Sequence, residues 1–215
     1  MKSINQASQL GNALGALMQI DLFGHDEGQA IPGLSYEPGF LTEDEEQELL
    51  RIIRTLDLHP VQYKEFESRC KIISYGGLYD FSTNTVKPSV ELDPRFYPIR
   101  KRVADWLNVE EQKIEHLLVT EYEPGTQLGW HRDVPYYEEV VGISLGSSAV
   151  IGFRPYPPSQ LTNRHAVKLE VIPRSIYKME GPARWDWQHS VPPVKDRRWS
   201  ITLRIKRQPN PRPSI

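Results

Sequence analysis

The hydrophobic positions of this chain change period near residue 115. Before it they recur at helical spacing. Leu49, Leu50, Ile53 and Leu56 form one stripe behind Thr42-Glu43-Asp44-Glu45, a capping-box start, and predict an amphipathic helix over 43–56. Ile99, Val103, Trp106 and Leu107 predict a second helix over 95–107. Between the helices, 69–81 (RCKIISYGGLYDF) reads as a strand, a Gly-Gly turn and an aromatic segment. After 115 the period is two. HLLVTEY, EEVVGISL, AVIGF, VKLEVI, SIYKM and SITLRI are short β-type runs broken by Pro, Gly or Asn. Six to eight strands of this kind predict a mostly β protein, a sandwich core with an α+β N-terminal region whose helices cover one sheet.

Composition narrows the class. With 215 residues, 39% of them hydrophobic and 25% charged, the chain can bury a core and lacks a disorder signature. Lys plus Arg number 26 against 28 Asp plus Glu, so any nucleic-acid contact has to come from a local basic patch. A single cysteine, Cys70, excludes an internal disulfide framework and a zinc ribbon and fits a reducing cytosol. No run nears the ~20 apolar residues of a membrane span. Residues 9–20 read as part of a flexible N-terminal extension over 1–35, with a Gly- and acid-rich linker at 24–35. The expectation is one domain over 36–210, with helices and a substrate lid at 36–110 and the β core at 111–206. It is expected to work as a cytoplasmic monomer with no membrane contact.

Candidate chemistry centres on Trp130-His131-Arg132-Asp133. In extended chain His131 and Asp133 point to one face. With His189 they make two imidazoles and one carboxylate, a set that holds Fe(II) and leaves positions open. The triplet alone is weak, and an exposed turn with a His–Asp hydrogen bond explains it equally. The run 198–204 (RWSITLR) puts Trp199, Ile201, Leu203 and Ile205 on one face and Arg198, Ser200, Thr202 and Arg204 on the other. Its two arginines sit about 20 Å apart along the strand and could approach opposite ends of a small dicarboxylate. A solvated strand face is the plainer alternative.

Taken together, VTEYEPGTQLGWHRD (119–133), VGISLG (141–146), GPARWDWQHS (181–190) and RWSITLR (198–204) resemble, in order, the AlkB-type family of Fe(II)/2-oxoglutarate dioxygenases. SYGGLYDF (74–81) resembles the family's segment that folds over the substrate. The resemblance implies a double-stranded β-helix (jelly roll) with Fe(II) on His131, Asp133 and His189. It implies a 2-oxoglutarate pocket lined by Thr120, Tyr122 and strand 198–204. Arg198 would pair with the far carboxylate, Tyr122 would assist, Ser200 and Thr202 would line the same wall, and Arg204 would lie near the chelating end. Thr120 stands where relatives often have Asn, and Pro135 where a bacterial DNA-repair relative has an acidic residue that touches the base. The implied reaction uses O2 to convert 2-oxoglutarate to succinate and CO2 and to remove an N-methyl group as formaldehyde. The implied partner is methylated nucleic acid.

Substrate contacts are expected from Arg69, Lys71, Tyr75, Tyr79 and Arg132, because cations hold phosphate and aromatic rings stack on bases. Tyr79 is the expected stacking ring and Phe81 a core residue. Arg100, Lys101 and Arg102 read as a solvated helix face. Arg184 reads as a substrate contact or a structural ion pair, Trp185 and Trp187 as a sheet-packing pair, and His25, His59, His116 and His165 as incidental. Cys70 has no adjacent base to make it a nucleophile. Two rivals stay open: an oxygenase acting on a protein side chain or small molecule, and a non-catalytic binding domain.

Overall fold

The computed structural model describes residues 31–63, 66–80, 85–87, 90–159 and 166–207. The expectations for 9–20, His25, Phe81 and His165 lie outside them.

Thirteen strands and three α-helices follow one another along these segments. In the first half are β1 (Leu34–Glu37), α1 (Glu43–Ile53), β2 (His59–Tyr63), β3 (Phe66–Tyr75), β4 (Leu78–Asp80), β5 (Thr85–Lys87) and α2 (Tyr97–Leu107). Then come β6 (Ile114–Tyr122), β7 (Leu128–His131), β8 (Tyr137–Leu145), β9 (Ala149–Pro155) and β10 (Val167–Val171). The chain closes with β11 (Ile176–Met179), α3 (Gly181–Trp185), β12 (Trp187–Val191) and β13 (Arg198–Lys206). The large sheet runs β1-β11-β8-β13-β6-β3-β2 and the small sheet β10-β9-β12-β7, with β4–β5 a separate ribbon.

The reciprocal Thr42–Glu45 capping box starts α1, which turns Leu49, Leu50, Ile52 and Ile53 inward. It ends at Ile53, short of Leu56, because the Thr55 hydroxyl takes the Ile52 carbonyl at 2.7 Å and the chain tightens into i→i+3 bonds. Leu56 still packs on the core. A short 3₁₀ turn over Pro94–Phe96, capped by Asp93, leads into α2, which stops at Asn108 in the left-handed conformation.

Both faces of β13 are covered, which removes the solvated-strand alternative. Trp199, Ile201, Leu203 and Ile205 pack with Leu117, Val119, Ile143 and Leu145 under the two helices. Arg198, Ser200, Thr202 and Arg204 face the space between the sheets, which Phe153, Leu169, Val171 and Met179 close with a second apolar cluster. Arg198 is only 4% exposed there.

The folded part starts before the expected linker ends. Ile31 is buried and Leu34 pairs with Met179, so residues 31–35 belong to the core structure. No helix among the described residues is long and apolar enough to cross a membrane.

Candidate metal centre and active site

Strand register assembles the site. β12 lies between β7 and β9, so His189 sits across from His131 on one side and Phe153 on the other. The two imidazole centroids are 4.2 Å apart. Asp133 follows His131 by two residues and turns to the same side, with Oδ2 3.5 Å from His189 Nε2. The ligating atoms of His131, Asp133 and His189 all lie within 4.8 Å of one another.

His131 Nδ1 donates to the Gly129 carbonyl at 2.8 Å, because a carbonyl only accepts. That leaves its Nε2 lone pair for a metal. Burial pushes the His189 imidazole down to about 3, so it is neutral at pH 7. Burial would raise the Asp133 carboxyl, but the Arg204 guanidinium, with both histidines and Arg184 nearby, holds it well below the usual carboxylate range. Two imidazole nitrogens and one ionised carboxylate make a donor set that suits Fe(II) and that, in sites of this type, leaves coordination positions for other ligands.

A second feature lies deeper between the sheets. Arg198 is buried against the Tyr122 ring, its guanidinium carbon 5.0 Å from the centroid. One terminal nitrogen donates to Ser144 Oγ at 3.0 Å, and Nε is buried without a hydrogen-bond partner. A buried guanidinium with an unused N–H is a strong demand for an anion, and its planar fork suits a carboxylate. Thr120, Ser200 and Thr202 are buried beside it, with Ser200 paired across to Thr120 and its hydroxyl bonded to Tyr122. Burial raises the Tyr122 hydroxyl, so it stays protonated and able to donate.

Sequence reasoning missed four residues. Arg184 is buried and holds backbone carbonyls. One of its terminal nitrogens donates to the carbonyls of Asp133, Val134 and Tyr137 at 3.2, 2.6 and 3.0 Å and pins the chain leaving Asp133. His116, expected to be incidental, is buried directly across from Arg204. It lies six residues before Tyr122 on the same strand, so the period-two pattern already placed both on one face. Ser144 of β8 pairs with Ser200 of β13, and Tyr177 is half-buried near Arg198. Only strand register reveals these last two.

Among the expected substrate residues, Tyr75 requires correction. It is 3% exposed and packs in the helical core, its ring 5.8 Å from that of Phe96, so it offers no stacking face. Lys71 is half-exposed with Nζ 3.8 Å from both Glu121 and Glu123. Carboxylates therefore balance its charge. Arg69 is exposed and Tyr79 lies on β4. Arg132 is exposed beside His131, its guanidinium carbon 3.8 Å from the Tyr156 ring centroid and one nitrogen on the Trp185 carbonyl at 3.0 Å. Trp185 and Trp187 each have contacts of their own. The Trp185 indole donates to Glu138, while Trp187 packs between the sheets. The helix cations are ion-paired, Arg100 with Glu111, Lys101 with Asp105 and Arg102 with Glu45.

Residues 33–208 match the family described as the 2OG-Fe(II) oxygenase superfamily. The chain is 28% identical over 172 residues to uncharacterized protein L905 of Acanthamoeba polyphaga mimivirus, covering 77% of this chain and 75% of that protein. It is 28% identical over 207 residues to the alkylated DNA repair protein ALKBH8 homolog of Arabidopsis thaliana, covering 81% of this chain and 58% of that one. The fold is similar to that of OsALKBH1, with a TM-score of 0.62, 18% identity, and coverage of 82% of this chain and 99% of that one. It is also similar to a Pseudomonas putida prolyl-4-hydroxylase, with a TM-score of 0.54, 14% identity, and coverage of 82% and 94%. Both likenesses agree with the double-stranded β-helix expected from the sequence. Family match, fold and donor chemistry point the same way, and the chain belongs to the 2OG-Fe(II) oxygenase superfamily, whose cofactors are Fe(II), 2-oxoglutarate and O2.

Proposed function

We propose that this 2-oxoglutarate-dependent dioxygenase removes methyl groups from the nitrogens of bases in DNA or RNA. The observation that carries the reading is the rim next to His131, where the exposed Arg132 lies on the exposed Tyr156 ring at 3.8 Å. A cation joined to a π-face suits a single-stranded nucleic acid. A relative named as an alkylated DNA repair protein supports the same substrate class.

His131, Asp133 and His189 hold the iron in this reading. Arg198 takes the far carboxylate of 2-oxoglutarate, with the Tyr122 hydroxyl donating to it, and Thr120, Ser200 and Thr202 wall the pocket. Arg204 keeps Asp133 ionised and oriented. Arg132, Arg69, Lys71 and Tyr79 are the substrate-side residues, Lys71 with its charge moderated by two glutamates. Bound there, Fe(II) and 2-oxoglutarate supply the O2-dependent oxidation of a methyl C–H bond, with succinate and CO2 as coproducts and formaldehyde leaving from the hydroxylated methyl.

The test loads the protein anaerobically with Fe(II) and 2-oxoglutarate, then admits O2 with a panel of N-methylated DNA and RNA oligonucleotides and follows formaldehyde and succinate. Stoichiometric formaldehyde and demethylated base are expected. Succinate formation with every oligonucleotide left intact overturns the substrate assignment and favours a protein side chain or a small molecule.

A further inference from the structure

A chain of polar contacts leaves the metal centre through β13 and β6 and ends at the turn before the β4–β5 ribbon. Arg204 directs Nε and one terminal nitrogen at Asp133 Oδ1, at 3.2 and 2.7 Å. Its other terminal nitrogen lies 3.1 Å from His116 Nδ1. His116 Nε2 lies 2.9 Å from Ser74 Oγ, and Ser74 Oγ donates to the Gly77 carbonyl at 2.7 Å.

The direction of every bond follows from donor chemistry. A guanidinium only donates, so His116 Nδ1 accepts and the ring proton sits on Nε2. Nε2–H then points to Ser74 Oγ, with the Gly77 carbonyl also facing the ring, and the Ser74 hydrogen goes to that carbonyl. Burial keeps the imidazole neutral, as this arrangement requires. The ring is fixed on its flank by Tyr137, centroid to centroid 5.1 Å.

We infer that His116 is a positioning residue of the metal centre, accepting from Arg204 so that the guanidinium caps Oδ1 of Asp133 and leaves Oδ2 turned to His189. The same ring ties that setting to the Gly76–Gly77 turn. This rests on the reading of His131, Asp133 and His189 as the metal ligands. A histidine that merely fills polar space in the core would affect stability and nothing at the metal.

Two variants separate these roles in the metal-free protein, with Mn(II) as the probe, titrated by electron paramagnetic resonance, and unfolding followed alongside. His116→Leu keeps bulk and removes the acceptor. His116→Asn places a carbonyl oxygen near the Nδ1 position, where it can accept from Arg204. Loss of an outer partner of a metal ligand weakens binding by about 10–100-fold. The expected result is a loss in that range for His116→Leu and a change within about threefold for His116→Asn. Equal losses in both, or none in either, overturn the inference. If His116→Leu does not fold, ¹⁵N NMR of the native imidazole decides, with Nδ1 expected unprotonated and a protonated Nδ1 overturning the inference. Asp133→Ala serves as the control. Undiminished Mn(II) affinity in that variant sinks the metal-centre reading itself, and the inference with it.

Discussion

Arg204 and Asp133 meet asymmetrically. Two guanidinium nitrogens converge on Oδ1, while Oδ2 is left 3.5 Å from His189 Nε2. The pair is nearly closed to water, with the Arg204 side chain 13% and the Asp133 side chain 6% exposed. Removing one member of a buried ion pair strands the other, at a cost of about 3–5 kcal/mol. Asp133→Ala is therefore expected to abolish metal binding and to destabilise the metal-free protein by that order. Asp133→Asn keeps an acceptor oxygen for Arg204, so it should lose the metal with a smaller stability loss. Metal titration and urea unfolding of the two variants check this.

Arg198→Lys tests the anion pocket. The guanidinium is held by Ser144 and Tyr122 with Nε unused, so its fork is available for two parallel bonds to a carboxylate. An ammonium supplies one point of contact. Losing a charge-assisted hydrogen bond of about 1.5–3 kcal/mol raises the half-saturating 2-oxoglutarate concentration roughly 10- to 100-fold. Metal affinity should stay unchanged. An unaltered 2-oxoglutarate requirement would falsify the assignment of Arg198 to the far carboxylate.

His116 also makes stability depend on pH. Its imidazole titrates at about 3 in the fold, against roughly 6.5 in an unfolded chain. As pH falls below 6.5 the unfolded state takes the proton first, so stability falls, by up to about 1.4 kcal/mol per pH unit. His189, also near 3, adds to the same slope in the metal-free protein. Asp133, held below its ordinary range, has the same sign but acts only below about pH 4, so the window from 6.5 to 4 belongs to the histidines. His116→Asn should remove about one proton's worth of that slope. Urea midpoints at pH 7, 6 and 5 measure it, and an unchanged slope means that the folded ring takes up its proton over the same range as the unfolded chain.

The helices and the long strands were legible because each sets an apolar face against a polar one. α1 and α2 each bury a single stripe, and β6, β8 and β13 carry the alternating runs. β7 (LGWH) and β12 (WQHSV) lack that alternation. They carry His131 and His189, so the apolar alternation that marks a strand is broken at the candidate site. His131, Asp133, His189 and the Arg198/Arg204 face were readable from spacing and resemblance. The roles of His116 and Arg184 were hidden because both depend on register between segments distant in sequence, Arg204 across from His116 and the 133–137 carbonyls against α3. Tyr75 misled for a related reason. Its sequence neighbours are those of a turn, yet β3 pairs with β6 through Tyr75 and Leu117 and rotates the ring toward Phe96.

The Gly76–Gly77 turn offers a test in which packing and chemistry separate. Gly76 has φ +86°, and a Cβ there would stand 2.0 Å from the Glu115 carbonyl oxygen, a backbone atom that cannot move alone. Gly125 has nearly the same φ, +81°, with nothing within 4 Å of its Cβ position. The left-handed conformation by itself costs a non-glycine residue about 1–2 kcal/mol. Gly125→Ala should show that cost alone. Gly76→Ala must add displacement of β6 where Glu115 precedes His116, so its loss of stability should be clearly larger. Because His116 holds Arg204, the same displacement should weaken Mn(II) binding in Gly76→Ala, while Gly125→Ala should bind Mn(II) as the native protein does. Urea unfolding and Mn(II) titration of both variants check this. Equal stability losses would show that the Glu115 backbone gives way easily. A larger loss with native Mn(II) affinity would show that the turn is mechanically independent of the metal ligands.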